Sequence, residues 1–268
     1  MGMVKVLPLV AGLIILSGFL QEKKDAISDE TKQLMAKSQN TLTEKEVAFS
    51  GGRGELKVIP NNRYITQYQI QKWKNELKGK YAIYSFSERG IGEFTSLAPD
   101  INGDFHLTHS YLEGYLPFKV DNPLIPMLTI ARKKKYQYDH EQYKGNMEVW
   151  QSSKQSYFYP SGDCEDHAIL LADWLIELGY DARVVIGDYD GGGHAWVVMF
   201  YKGKEYVLEA TQKSGFGRQY PLASTLPKYH PTAMFNREHY WVNQGSALTT
   251  NYASSSWRLM SQFTPISP

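Results

Sequence analysis

The chain has 268 residues, 29 Lys plus Arg against 28 Asp plus Glu, and a formal net charge of +1. That length gives enough chain for a substantial core, and so balanced a charge removes the basic field expected of a nucleic-acid binder. A single cysteine, Cys164, excludes any intrachain disulfide.

In chain order, Lys5 precedes an apolar run from Val6 to Leu20, and the charged stretch Gln21-Glu22-Lys23-Lys24-Asp25 follows at once. A basic start and a short apolar run read as a signal peptide or N-terminal membrane anchor over 1–20, which places the protein outside the cytoplasm: exported, periplasmic or extracellular, with a tether to the membrane if the segment is kept. Residues 21–122 form an N-terminal region of unknown role. In it, β-like runs are expected at Leu56 to Ile59 and Tyr81 to Phe86, with a turn at Asn102-Gly103. His106 and His109 have a spacing that zinc ligands use, but no Cys or acidic partner is near in sequence, so they read as packing or surface histidines. A third region, 123–268, starts with a helix over Leu124 to Ala131, closed by the basic run Arg132-Lys133-Lys134-Lys135. That run reads as a complement to the helix dipole.

The chemistry concentrates from Ser161 onward. After Cys164, apolar residues at Ala168, Leu171, Ala172, Leu175 and Leu178 have helical spacing with one buried stripe, and Gly179 supplies a stop. Cys164 therefore falls in the first turn of a helix, where the dipole lowers a thiol pKa and free N–H groups can receive an oxyanion. Asp163, Glu165 and Asp166 oppose that effect. Asp163 and Asp166 have the spacing of an acidic capping box.

Tyr180 to Ile186 reads as a strand, Asp188 to Gly193 as a loop, His194 to Tyr201 as a second strand and Lys204 to Thr211 as a third. A two-residue turn at Lys202-Gly203 joins the last two. In that register Glu209 is the diagonal neighbour of His194 on one face, within reach to orient the imidazole. A one-residue slip would turn Glu209 away. His167, one turn past Cys164, reads as packing; Trp150 and Trp196 as core or cleft wall; Gln151 as a candidate side-chain oxyanion donor; and Asp188-Tyr189-Asp190-Gly191 as a turn rather than a calcium loop.

Gly162-Asp163-Cys164-Glu165-Asp166, His194-Ala195-Trp196 and Leu208-Glu209-Ala210-Thr211 together resemble the bacterial transglutaminase-like cysteine proteinases of the papain and transglutaminase superfamily. Tyr136-Gln137-Tyr138-Asp139 and Trp150-Gln151 match that family's approach to its catalytic helix. The resemblance covers roughly residues 123–245. It implies an α+β fold, a papain/transglutaminase-like core with the nucleophile helix packed on an antiparallel β-sheet, and a Cys164–His194–Glu209 triad that forms an acyl-enzyme on a protein or peptide substrate. Water releases the acyl group in a peptidase or amidase; an amine does so in a transglutaminase. A non-catalytic binding module on the same fold is the remaining alternative. Many relatives have Asp where this chain has Glu209. No cofactor is required, but some relatives bind calcium through acidic residues beside the nucleophile, and Asp163 and Asp166 stand at the matching positions.

Overall fold

A computed structural model describes residues 47–51, 53–77, 84–88, 92–212 and 221–266, together with Asp29 and Gln33. The expected leader over 1–20 lies outside the described residues. Among the described residues no helix is long and apolar enough to cross a membrane. One compact unit runs from Leu42 to Pro268. It passes through the boundary expected at 122–123 without a break, because residues on both sides of that point share one sheet.

That sheet has eight strands in the order β10-β9-β8-β11-β12-β13-β1-β2. They are β1 (Gly54–Val58), β2 (Arg63–Ile65), β8 (Asp181–Tyr189), β9 (Gly192–Tyr201), β10 (Lys204–Leu208), β11 (Tyr229–Phe235), β12 (His239–Asn243) and β13 (Trp257–Pro265). Every pairing is antiparallel. β13 is an interior strand, paired with β12 on one side and β1 on the other. A second sheet holds β3 (Tyr84–Glu88), β4 (Gly92–Pro99) and β5 (Phe105–Leu107), and a short parallel pair joins β6 (Lys135–Tyr136) to β7 (Ser161–Gly162). The helices are α1 (Gln67–Leu77), α2 (Leu124–Lys133), α3 (Asp139–Gln142), α4 (Ser153–Phe158) and α5 (Cys164–Glu177). The fold is the expected α+β class, with the Cys164 helix packed on an antiparallel sheet.

The alternation along β9 explains both cores. Ala195, Val197 and Met199 join α5 residues such as Ile169 and Trp174 in the main core. Trp196 and Val198 point the other way, into a second cluster with Tyr229, Tyr252 and Trp257. α5 is buried from Glu165 to Leu175 on nearly every face, not along one stripe, since helices α2 and α4 cover the side the sheet leaves open. It ends as expected: Gly179 takes φ +88°, and the Tyr180 N–H bonds back to Leu175 O at 3.0 Å. Asp173, on the same helix, ties it to the β11–β12 turn through Arg237 Nε at 2.6 Å and accepts from the Tyr115 N–H at 2.8 Å.

The β8–β9 connection departs from expectation. Asp188 to Gly193 is not an open loop. β8 continues to Tyr189 and β9 begins at Gly192, in a register that pairs those two residues and sets Gly187 opposite His194. Only Asp190 and Gly191 turn, both left-handed at φ 55° and 91°. The Asp188 carboxylate accepts from the Gly191 N–H at 2.9 Å, as a turn residue does. The β9–β10 turn has the expected two residues, Lys202 and Gly203, also left-handed at φ 50° and 70°. Lys204 pairs with Tyr201 and Leu208 with Val197, the register read from the sequence, although β10 stops at Leu208 and not at Thr211.

Candidate functional site

Cys164 is the first residue of α5, following β7. His194 lies near the start of β9, and Glu209 is the first residue past the end of β10. His194 Nε2 and Glu209 Oε2 are 2.7 Å apart. The carboxylate is fully engaged: Oε1 accepts from the Thr211 N–H at 3.0 Å and from its hydroxyl at 2.6 Å, while the Tyr229 hydroxyl donates to Oε2 at 3.4 Å. The imidazole lies in an aromatic setting, with the rings of Tyr189, Trp196 and Tyr229 centred 5.6, 6.1 and 6.5 Å away. Thr211 and Tyr229 were not legible as site residues. Thr211 ends the motif word that contains Glu209, but nothing in sequence brings Tyr229 there.

The thiol meets this strand one residue along. The Ala195 backbone amide acts to lower the thiol pKa, while Sγ donates to Glu165 Oε2 at 3.4 Å. Among the described residues no hydrogen bond joins Sγ to the imidazole, where a contact within about 4 Å is expected of a formed pair. The strand alternation is the reason. It presents Ala195 to α5 and sends the His194 side chain toward the Trp196 face. The expected lowering of the thiol pKa is likewise absent: burial and then the Asp163 charge push Cys164 up to about 12.

On its other side, Cys164 adjoins a cluster of carboxylates. Oxygens of Asp139, Asp163, Glu165 and Asp166 all lie within 4.8 Å of one another. Asp139, Glu165 and Asp166 are buried. One oxygen of each of the four has no hydrogen-bond partner. Burial raises all four, and the Asp163 charge adds to the rise at Asp139, Glu165 and Asp166; Asp139 reaches about 8, and burial takes Glu148 nearby to about 7. This corrects the capping reading. Asp163 is the N-cap residue, but its side chain makes no cap bond, and the Asp166 carboxylate turns inward to accept from the Gln151 N–H at 2.7 Å. His167 does belong to the packing, as expected: its ring Nδ1 bonds to Asp163 O and the residue is fully buried.

Lys134 supplies the nearest cation. In sequence it reads as one of a solvated basic run at a helix end. In the structure it is buried, and its Nζ donates to Gln151 Oε1 at 2.7 Å, Ser161 O at 2.8 Å and Ser156 O at 3.2 Å. Burial lowers it to about 8 against the pull of Asp166 and Asp163. Gln151 is thereby taken out of its candidate role. With Oε1 on Lys134 and Nε2 on Tyr143 Oη and Ser161 O at 2.8 and 2.9 Å, this buried amide has no donor to offer a substrate. Trp150 and Trp196 are both core, with their indole N–H groups donating to Glu148 and Tyr252 at 2.7 and 3.1 Å. His106 and His109 do not converge. The first meets Asp100 at 3.3 Å, and the second is buried against Phe263 with Nδ1 donating to Asn236 O at 2.9 Å.

Residues 148–262 match a family model described as a CEP76 peptidase-like domain. No curated protein matches the chain. Two solved structures show weak similarity. One is a provisionally assigned cysteine protease from Cytophaga hutchinsonii, 20% identical, with 35% of this chain and 33% of that chain covered and a TM-score of 0.30. The other is arylamine N-acetyltransferase C from Bacillus anthracis, 18% identical, with 55% and 63% covered and a TM-score of 0.28. The chain thus spans about a third of the first protein's length and less than two thirds of the second's. The family model covers less than half of the chain, and nothing in these matches singles out the bacterial proteinase family.

Proposed function

We propose that the protein is a thiol-dependent acyl-transfer enzyme, a peptidase or amidase acting on a protein or peptide, with Cys164 as nucleophile, His194 as base and Glu209 orienting the imidazole. The observation that carries this reading is the 2.7 Å His194–Glu209 contact, made by a carboxylate with donors on both oxygens. A structural ion pair has no need of so complete a set beside a lone cysteine. In the reaction, the Cys164 thiol gives up its proton to the His194 imidazole. The thiolate then attacks the carbonyl carbon, the leaving amine takes the proton back, and water releases the acyl group.

Calcium fits this site on the structure's own terms. Four carboxylates with unpartnered oxygens, most of them buried, form a hard oxygen donor set that one lysine cannot neutralise. Asp139, Asp163, Glu165 and Asp166 would hold the ion. Its charge would offset the field that raises the thiol pKa. Export, or tethering through residues 1–20, remains part of the proposal.

A binding module is the second reading, favoured by the raised thiol and by its bond to Glu165. One experiment separates the two. The full chain, with and without calcium, is assayed on a fluorogenic peptide-amide library beside Cys164→Ala. Turnover that Cys164→Ala abolishes is expected; turnover absent under both conditions, or equal in the two proteins, leaves the binding module.

A further inference from the structure

With Gln151 engaged elsewhere, the site needs another group to receive the negative charge that forms on the carbonyl oxygen. Backbone N–H groups at the start of α5 are one source. A second donor stands on β6. Lys135 N–H bonds to Pro160 O at 2.8 Å and Gln137 N–H to Gly162 O at 3.1 Å, so the residue between them is held against the strand that runs directly into Cys164. That residue is Tyr136, which pairs with Gly162. Its ring lies 6.1 Å from the ring of His167, one turn along α5, and 5.3 Å from the exposed Tyr138.

Tyr136 differs from Tyr143, Tyr229 and Tyr252. Tyr143 Oη accepts from Gln151, Tyr229 Oη donates to Glu209, and Tyr252 Oη accepts from Trp196. Among the described residues the Tyr136 hydroxyl has no hydrogen bond, and the ring is only half-buried, so it can reach a bound substrate. Of the charges acting on this phenol, that of Cys164 is the largest, ahead of Asp163. A phenol keeps its proton at neutral pH and can donate it in a hydrogen bond.

The geometry points to Tyr136 as a further catalytic residue, whose free hydroxyl donates to the oxyanion formed when Cys164 attacks a carbonyl. This rests on the acyl-transfer reading and assigns a role within it. As the S–C bond forms, the C=O π pair moves to oxygen, and the phenol O–H hydrogen-bonds to that oxygen without surrendering its proton. Collapse returns the pair to the carbonyl and expels the leaving group, while the thiol proton stays with His194 until the leaving group takes it.

The test compares two reactions of the same sulfur. Iodoacetamide alkylates Cys164 by displacement at carbon, with no oxyanion. p-Nitrophenyl acetate acylates it through one. In the full-length protein, Tyr136→Phe should slow p-nitrophenolate release about 100-fold, the cost of losing one oxyanion donor. It should leave the iodoacetamide rate unchanged, and that rate also reports an intact site. Unchanged acylation overturns the assignment. An equal fall in both rates overturns it too, and makes Tyr136 a support for the thiol. A wild-type protein that is alkylated at Cys164 yet never acylated overturns the acyl-transfer reading, and this inference with it.

Discussion

Glu209 and the carboxylates around the start of α5 stand under different physical conditions. Glu209 has donors on both oxygens, from His194, Thr211 and Tyr229. Asp139, Asp163, Glu165 and Asp166 crowd within 4.8 Å of one another, each with an oxygen that has no hydrogen-bond partner among the described residues, beside the buried cation Lys134. A satisfied carboxylate is a stable part of a structure; a crowded, desolvated set is held by the rest of the fold against its own repulsion. The first side is ready to orient an imidazole. At the second, burial and then the Asp163 charge raise the thiol pKa.

The largest effects should come from the groups that react. Cys164→Ala and His194→Ala are each expected to lower acylation at least about 1000-fold, and Glu209→Gln by roughly 100-fold, since it keeps an acceptor but loses the charge that supports the imidazolium. An acylation rate for His194→Ala equal to wild type would show that the satisfied side has no part in the chemistry.

Next in size is removal of the lone cation. Lys134→Met should destabilise the protein by about 3 kcal/mol, because it leaves buried carboxylates without their counter-charge. Chemical denaturation measures this, and a loss below the scatter of the method would mean that the cluster is neutral as folded.

The crowded side also sets a pH dependence. Asp139 at about 8 and Glu148 at about 7 lie above the unfolded carboxylate value of about 4. The folded protein then keeps protons that the unfolded chain gives up, so without a cation stability should fall as pH rises from about 4 to about 8. Calcium should raise the melting temperature most at the upper end of that range and flatten the slope. It should also bring the alkylation midpoint of Cys164 down from about 12. Melting curves that are the same with calcium and with chelator would remove the cation and leave a proton-sharing cluster.

The smallest effect is expected at the satisfied side's supports. Thr211→Val and Tyr229→Phe each remove one donor to Glu209, so kcat should fall several-fold with KM unchanged. A change in KM alone would place these residues in substrate binding instead.

What could be read in advance follows from the range of the interactions. The α5 start and stop are local: apolar spacing after Cys164 and a left-handed Gly179. The β9–β10 register followed from a turn of two residues, and with it the approach of Glu209 to His194. The carboxylate cluster was only half legible. Asp163 and Asp166 were visible, but Asp139 arrives from a different element, and the pair was taken for a cap because spacing does not say whether a short acidic side chain turns back or inward. Lys134 was hidden among its neighbours, since a run of four basic residues gives no sign of which one the chain folds over. That the Cys164 thiol bonds to Glu165 and not to His194 depends on which strand face α5 covers, a tertiary fact.

The interior position of β13 has a consequence for synthesis on the ribosome. Residues Trp257–Pro265 fill the slot between β12 and β1. Until they emerge from the exit tunnel, β1 and β2 pair only with each other, and β12 presents an open edge. The Cys164 helix and the β8–β9–β10 strands can associate earlier, so the reactive centre should take shape before the sheet is complete. Nascent chains stalled short of Trp257 should therefore expose β1 and β12 to proteases and holdase chaperones, and chains released past Pro265 should not.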